Sequence, residues 1–238
     1  MQYAIIGAGG TGGVVGYFMT KAGKDVTLIA RGRHLEAMKK HGLTLERLWD
    51  PNPETIDVKA TDMEHYEEHP DVILVCVKGY SLEDTVPFIR RVAKPDTIVI
   101  PILNIYGTGA KLQKELPELL VTDGCIYVSA NIKEPGVLLQ HGKILRIVYG
   151  VREKAEERPE LEQIRQDFTD SSIDGILSEN IRREALEKFS YVSPIGAAGL
   201  YCNAVAGDFQ KEGAPRELFC SMIREIAALA DAMGVPFQ

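Results

Sequence analysis

The feature that most constrains this chain lies within its first dozen residues. The apolar run Tyr3-Ala4-Ile5-Ile6 ends at Gly7, and Gly9 and Gly12 complete the spacing G-x-G-x-x-G. Val14, Val15, Phe18, Met19 and Ala22 then recur at helical spacing, so strand, glycine turn and helix follow one another directly. A second apolar run, residues 25–30, supplies the next strand of a βαβ unit. In such a unit the first glycine permits the tight turn. The second lets the backbone approach a diphosphate, and the third lets helix and strand pack closely. The anion sits where free N–H groups and the helix dipole favour it.

At the end of the second strand, where an NAD enzyme usually carries a carboxylate for the ribose hydroxyls, stand Arg31, Gly32 and Arg33. Two guanidinium groups there suit a 2′-phosphate, which favours NADP(H) over NAD(H). The competing reading is a solvated basic loop before the helix over residues 34–40, which Gly42 closes.

A formal charge of -7 over 238 residues argues against nucleic acid as the main partner. No apolar run reaches membrane-spanning length, and the first residues lack a signal peptide's basic start. Cys76, Cys125, Cys202 and Cys220 are far apart, as reduced thiols of a cytoplasmic protein would be. His65 and His69 are spaced i,i+4 in an acidic run, but a solvated face is preferred to a metal pair, and no metal is expected.

Residues 43–48 alternate, residues 50–53 read as a turn, and residues 56–60 as the returning strand of a hairpin. Trp49 beside that turn is read as packing. Residues 71–77 form a continuous apolar run, as a parallel strand covered on both faces should. Lys78 follows it, then a helix to about residue 93, a strand over residues 97–100, and Asn104. Ligands of open parallel sheets bind outside the carboxyl ends of the strands, so Lys78, Asn104 and the glycine turn point to one crevice. Further strands are expected over residues 119–121 and 124–128, then a hairpin of residues 136–141 and 143–148 around Gly142, with His141 facing outward. A helix over residues 159–170 and a strand over residues 173–177 close a first domain, residues 1–179.

From Asn180 the pattern is helical only. Asn180 caps a helix through residue 192 that Pro194 should kink or end, and another helix spans residues 215–233 before Gly234. The fold class is therefore α/β: an N-terminal Rossmann-type, doubly wound domain followed by an all-helical domain over residues 180–238.

Several segments together resemble the ketopantoate reductase (2-dehydropantoate 2-reductase) family. They are GAGGTGG at residues 7–13, LIARGRHLEAM at 28–38, ILVCVKGYS at 73–81, the asparagine–glycine turn at 104–107, PGV at 135–137 and EKFSYVS at 187–193. The resemblance implies NADPH-dependent reduction of a small-molecule 2-keto acid to a 2-hydroxy acid, 2-dehydropantoate to pantoate first among them, in pantothenate and coenzyme A biosynthesis. It implies that Gly7, Ala8, Gly9, Gly10, Thr11 and Gly12 hold the pyrophosphate and Arg31 the 2′-phosphate. Lys78 and Asn104 would touch cofactor and substrate, Asn131 would lie by the nicotinamide, and Lys188 would be the catalytic proton donor. The chemistry suits that role, because a positioned ammonium stabilises a developing alkoxide and protonates it.

Two departures qualify the resemblance. Where the family often carries substrate-side asparagines, this chain aligns Val192, Gly196 and Ala206, leaving Ser193 or Asn203 to substitute. A bulkier or more apolar keto acid is then a second expectation. Family members also continue with further helices past the position of Gln238, so the helical domain is expected to be incomplete and to self-associate into a homo-oligomer. The alternative in another class is an NADP(H)-binding protein without turnover.

Overall fold

The computed structural model of the chain describes residues 1–237. The opening unit is β1 (Gln2–Ile6), α1 (Gly10–Lys21), β2 (Asp25–Ile29) and α2 (Gly32–His41), which Gly42 ends at φ 77°. Then come β3 (Leu43–Arg47), β4 (Asp50–Ile56), β5 (Lys59–Thr61) and β6 (Val72–Val75). α3 (Val86–Val92), β7 (Ile98–Pro101), α4 (Thr108–Glu115), β8 (Leu120–Val121) and β9 (Asp123–Tyr127) follow. The chain continues through β10 (Ala130–Glu134), β11 (Val137–Gln140), β12 (Arg146–Gly150), α5 (Pro159–Asp170) and β13 (Asp174–Leu177). It finishes with α6 (Ile181–Cys202) and α7 (Ala214–Ala232).

Six strands form one parallel sheet in the order β5-β2-β1-β6-β7-β8. The order reverses between β1 and β6, so the crevice at that switch point lies beside the glycine turn. All four residues of β6 are fully buried, as its unbroken apolar run requires. One apolar cluster, with Ile5, Val15, Leu28 and Leu74, fills one face of the sheet. A second, with Ile6, Val75, Ile89 and Val99, fills the other. A four-stranded sheet, β10-β11-β3-β4, and a three-stranded sheet, β13-β12-β9, flank this layer.

Several local expectations require correction. Residues 50–53 are not a turn: they belong to β4, and the chain reverses at Leu48 and Trp49. β4 is an edge strand, so Pro51 and Pro53 remove no ladder bond on its open side. The strand returns to Ile56 only, while Lys59–Thr61 joins the main sheet beside β2.

The hairpin around Gly142 does not form. β11 pairs with β10 and β3, whereas β12 pairs with β9 and β13 in another sheet. Alternation marks a strand but carries no information about its partner, and the polar, exposed β10 gave no apolar signal. The real reversal lies at Gly136, whose φ is 79°. His141 does face solvent, outside any hairpin. Residues 79–85 form two short 3₁₀ turns, and a regular helix begins only at Val86, with Pro87 in its first turn.

α6 runs on past Pro194 to Cys202, so the proline does not end the helix. Packing along α7 and burial of Pro194 outweigh the missing backbone donor. Asn180 caps α6 as expected, its side chain accepting from the Arg183 N–H at 3.1 Å. The acidic run is irregular. His65 bonds Asp62 and His69 bonds the Val92 carbonyl, so the two rings share no helical face. Among the described residues no helix is long and apolar enough to cross a membrane.

Candidate active site

The glycine turn has the geometry an anion needs. Gly7 sits at φ 94°, and its N–H bonds the Ile29 carbonyl at 3.0 Å, tying the turn to the end of β2. A Cβ at Gly12 would collide with the Gly7 carbonyl oxygen and the Cys76 side chain, so only glycine brings helix and strand this close. At Gly9 a Cβ would meet nothing within 4 Å. That open side is the approach to the N-terminus of α1, which has neither a side-chain cap nor an acidic residue in its first turn. Its N–H groups remain available to a diphosphate, so these residues fit the pyrophosphate of a dinucleotide.

Around the turn stand the other expected residues. Arg31 is the N-cap residue of α2; it and Arg33 are exposed and make no ion pair among the described residues. Lys78 follows β6 and is exposed at the crevice edge. Thr11 and Ala8 lie within the turn and its helix start. β10 crosses over it, and a Cβ on Gly10 would run into the Ala130 carbonyl. Asn131 is thereby brought beside the glycine turn. Its amide donates to the Ile132 carbonyl at 3.0 Å, and its Oδ1 lies 2.5 Å from His141 Nε2.

Asn104 and Lys188 line one narrow cleft with Leu103, Ile105, Tyr106, Cys125, Phe189 and Val192. The loop after β7 supplies one wall, β9 the floor and α6 the other wall. The enclosed space is only about 10 Å³, so the walls lie close together. Lys188 is half-buried, with its Nζ 4.3 Å from the centroid of the Tyr127 ring. Burial holds its pKa below the ordinary lysine value. Burial likewise pushes the Cys125 thiol up to about 12, which keeps it protonated and unreactive.

Ser193 and Asn203 are not among the residues that line the cleft. Ser193 is partly buried on α6 beyond Val192, and Asn203 ends that helix in the left-handed conformation at φ 50°. Asn203 is about 22 Å along the helix from Lys188 at the usual rise per residue. Tyr127 escaped the sequence reading because one aromatic in an alternating strand looks like core.

Residues 3–154 match the family described as ketopantoate reductase PanE/ApbA. The 2-dehydropantoate 2-reductase of Pyrococcus horikoshii is 32% identical over 200 residues, which are 83% of this chain. The chain spans 64% of that relative's length. Among solved structures, a D-mandelate dehydrogenase bound to NADH and anilino(oxo)acetate superposes with a TM-score of 0.90 at 20% identity, covering 100% of this chain and 76% of its own. The 2-dehydropantoate 2-reductase of Porphyromonas gingivalis superposes at 0.87 with 24% identity, over 100% of this chain and 84% of its own. At these identities the superpositions establish the fold, and the sequence matches establish descent: the chain belongs to the ketopantoate reductase PanE/ApbA family.

Proposed function

We propose that the chain carries out NADPH-dependent reduction of a 2-keto acid to a 2-hydroxy acid, with 2-dehydropantoate the first candidate. The observation that carries this reading is the meeting of Lys188 and Asn104 in one cleft at the carboxyl edge of the sheet that bears the glycine turn. Residues 1–179 then hold the cofactor, and residues 180–238 bring the amine. A bound nicotinamide supplies the hydride for the keto carbon. The Lys188 ammonium stabilises the negative charge developing on the former carbonyl oxygen and then protonates it. Its depressed pKa makes that transfer easier than from an ordinary lysine. The Asn104 amide donates to the substrate and holds it beside Lys188. Arg31 takes the 2′-phosphate, with Arg33 beside it. Lys78 and Asn131 flank the cofactor.

A second reading of the substrate rests on the walls. Leu103, Ile105, Phe189 and Val192 make the cleft largely apolar, and Val192 offers no hydrogen bond to a pantoate-like hydroxyl. A more apolar, branched or aryl keto acid fits that lining, in line with the ligand of the D-mandelate dehydrogenase neighbour. The protein is placed in the cytoplasm and as a homo-oligomer on the same reading. Steady-state oxidation of NADPH with 2-dehydropantoate and a panel of branched and aryl 2-keto acids tests it. Turnover with any of them supports the reductase, and their order identifies the substrate class. Binding of NADPH with no keto acid accelerating its oxidation leaves a cofactor-binding protein without turnover and sinks the proposal.

A further inference from the structure

Three segments of the cradle meet at one side chain outside the cleft. His34, in the first turn of α2, places Nε2 2.9 Å from the carbonyl oxygen of Ala8, inside the glycine turn. Its Nδ1 accepts the backbone N–H of Gly136 at 3.0 Å, at the reversal between β10 and β11. An N–H can only donate, so Nδ1 carries the lone pair and Nε2 carries the hydrogen that goes to Ala8. A single neutral tautomer satisfies both bonds. Burial of the ring favours the same neutral form.

The segments joined this way are the ones that handle the cofactor. Gly136 lies flat on α2, where a Cβ would come 3.0 Å from Ala37 Cβ. From that reversal β10 runs back across Gly10 and carries Asn131. α2 starts at Arg31 and has no side-chain cap of its own. An Ala8 carbonyl held by the imidazole is also kept from turning toward an anion at the helix start, where it would repel a phosphate.

We propose that His34 is a positioning residue for the dinucleotide cradle. Its two hydrogen bonds set the spacing between the glycine turn, the start of α2 and the strand that covers them, so that diphosphate and 2′-phosphate are held together. The inference rests on the reading of this cradle as an NADP(H) site. Parent protein, His34→Leu and His34→Gln are titrated with NADP⁺ by calorimetry, with melting curves and steady-state kinetics in parallel. His34→Leu weakens NADP⁺ binding by about tenfold or more, the effect of losing two such bonds. It raises the KM for NADPH by a similar factor and leaves kcat close to the parent's. His34→Gln, which keeps an N–H for Ala8, recovers part of the affinity and decides the matter if the leucine variant does not fold. Variants that melt lower yet bind NADP⁺ as the parent does give His34 a purely structural role and overturn the inference. A parent that binds no NADP⁺ removes the cofactor reading together with this one, whereas equal binding by parent and variants removes this one alone.

Discussion

The Nζ of Lys188 lies 4.3 Å from the centroid of the Tyr127 ring, so burial and the aromatic face act on its charge in opposite directions. Burial disfavours the ammonium, and a ring face attracts it by about 0.5–2 kcal/mol. A general acid must be protonated to act, so kcat/KM should fall as pH rises through the Lys188 pKa. That fall should come below the ordinary lysine value of about 10.4. Tyr127→Leu keeps the site apolar but removes the ring face. The basic limb should then move further down, by up to about 1.5 pH units. A limb that stays in place or moves upward contradicts the role given to the ring.

Neighbouring glycines should separate fold from cofactor. Gly9 has extended backbone and open space where a Cβ would stand, so Gly9→Ala should leave the melting temperature close to the parent's while weakening NADPH binding. Gly10→Ala and Gly12→Ala would drive a methyl into the Ala130 and Gly7 carbonyls and should cost about 1–3 kcal/mol of stability. Denaturant melts with parallel NADPH titrations check both. A Gly9→Ala variant that binds NADPH normally removes the diphosphate from that open side.

That contrast also shows what a reader of the sequence could know. Strand, glycine turn and α1 were legible because three glycines at fixed spacing each answer a separate steric demand. α5 was found at its observed ends, and Asn180 was read correctly as a cap, because periodicity and capping are local. Pairing is not local. Residues 137–140 and 146–150 look alike in alternation, yet they belong to different sheets, one pairing with the polar β10 and with β3, the other with β9 and β13. Pro194 failed as a helix stop because its effect depends on packing against α7, which lies later in the chain. In the candidate site, Asn104 was expected from its place after a strand and Lys188 from the EKFSYVS resemblance, whereas the contacts of His34 and Tyr127 are with partners distant in sequence.

Arg31 should set the choice of cofactor. A charge-assisted bond to the 2′-phosphate contributes about 1.5–3 kcal/mol, so Arg31→Ala should weaken NADPH by roughly tenfold to a hundredfold and leave NADH nearly unchanged. Direct titration of both nucleotides reads this. Equal affinity of the parent for the two would remove the 2′-phosphate argument.

Self-association should follow from the apolar surface at the end of α6, where Leu200 is 88% and Tyr201 85% exposed. Light scattering at micromolar concentration should give a mass above 26.3 kDa, and Leu200→Asp with Tyr201→Asp should return it to that value. A parent that is monomeric under these conditions contradicts this expectation.

The central claim is that the amine of Lys188 gives its proton to a keto acid lying between it and a cofactor held at the glycine turn. Single-turnover oxidation of bound NADPH, on mixing with the keto acid that the panel identifies, tests it in parent and Lys188→Ala. The account predicts a slowing of about 10²–10⁴ in the variant with NADPH affinity unchanged. Equal single-turnover rates in the two proteins would contradict it.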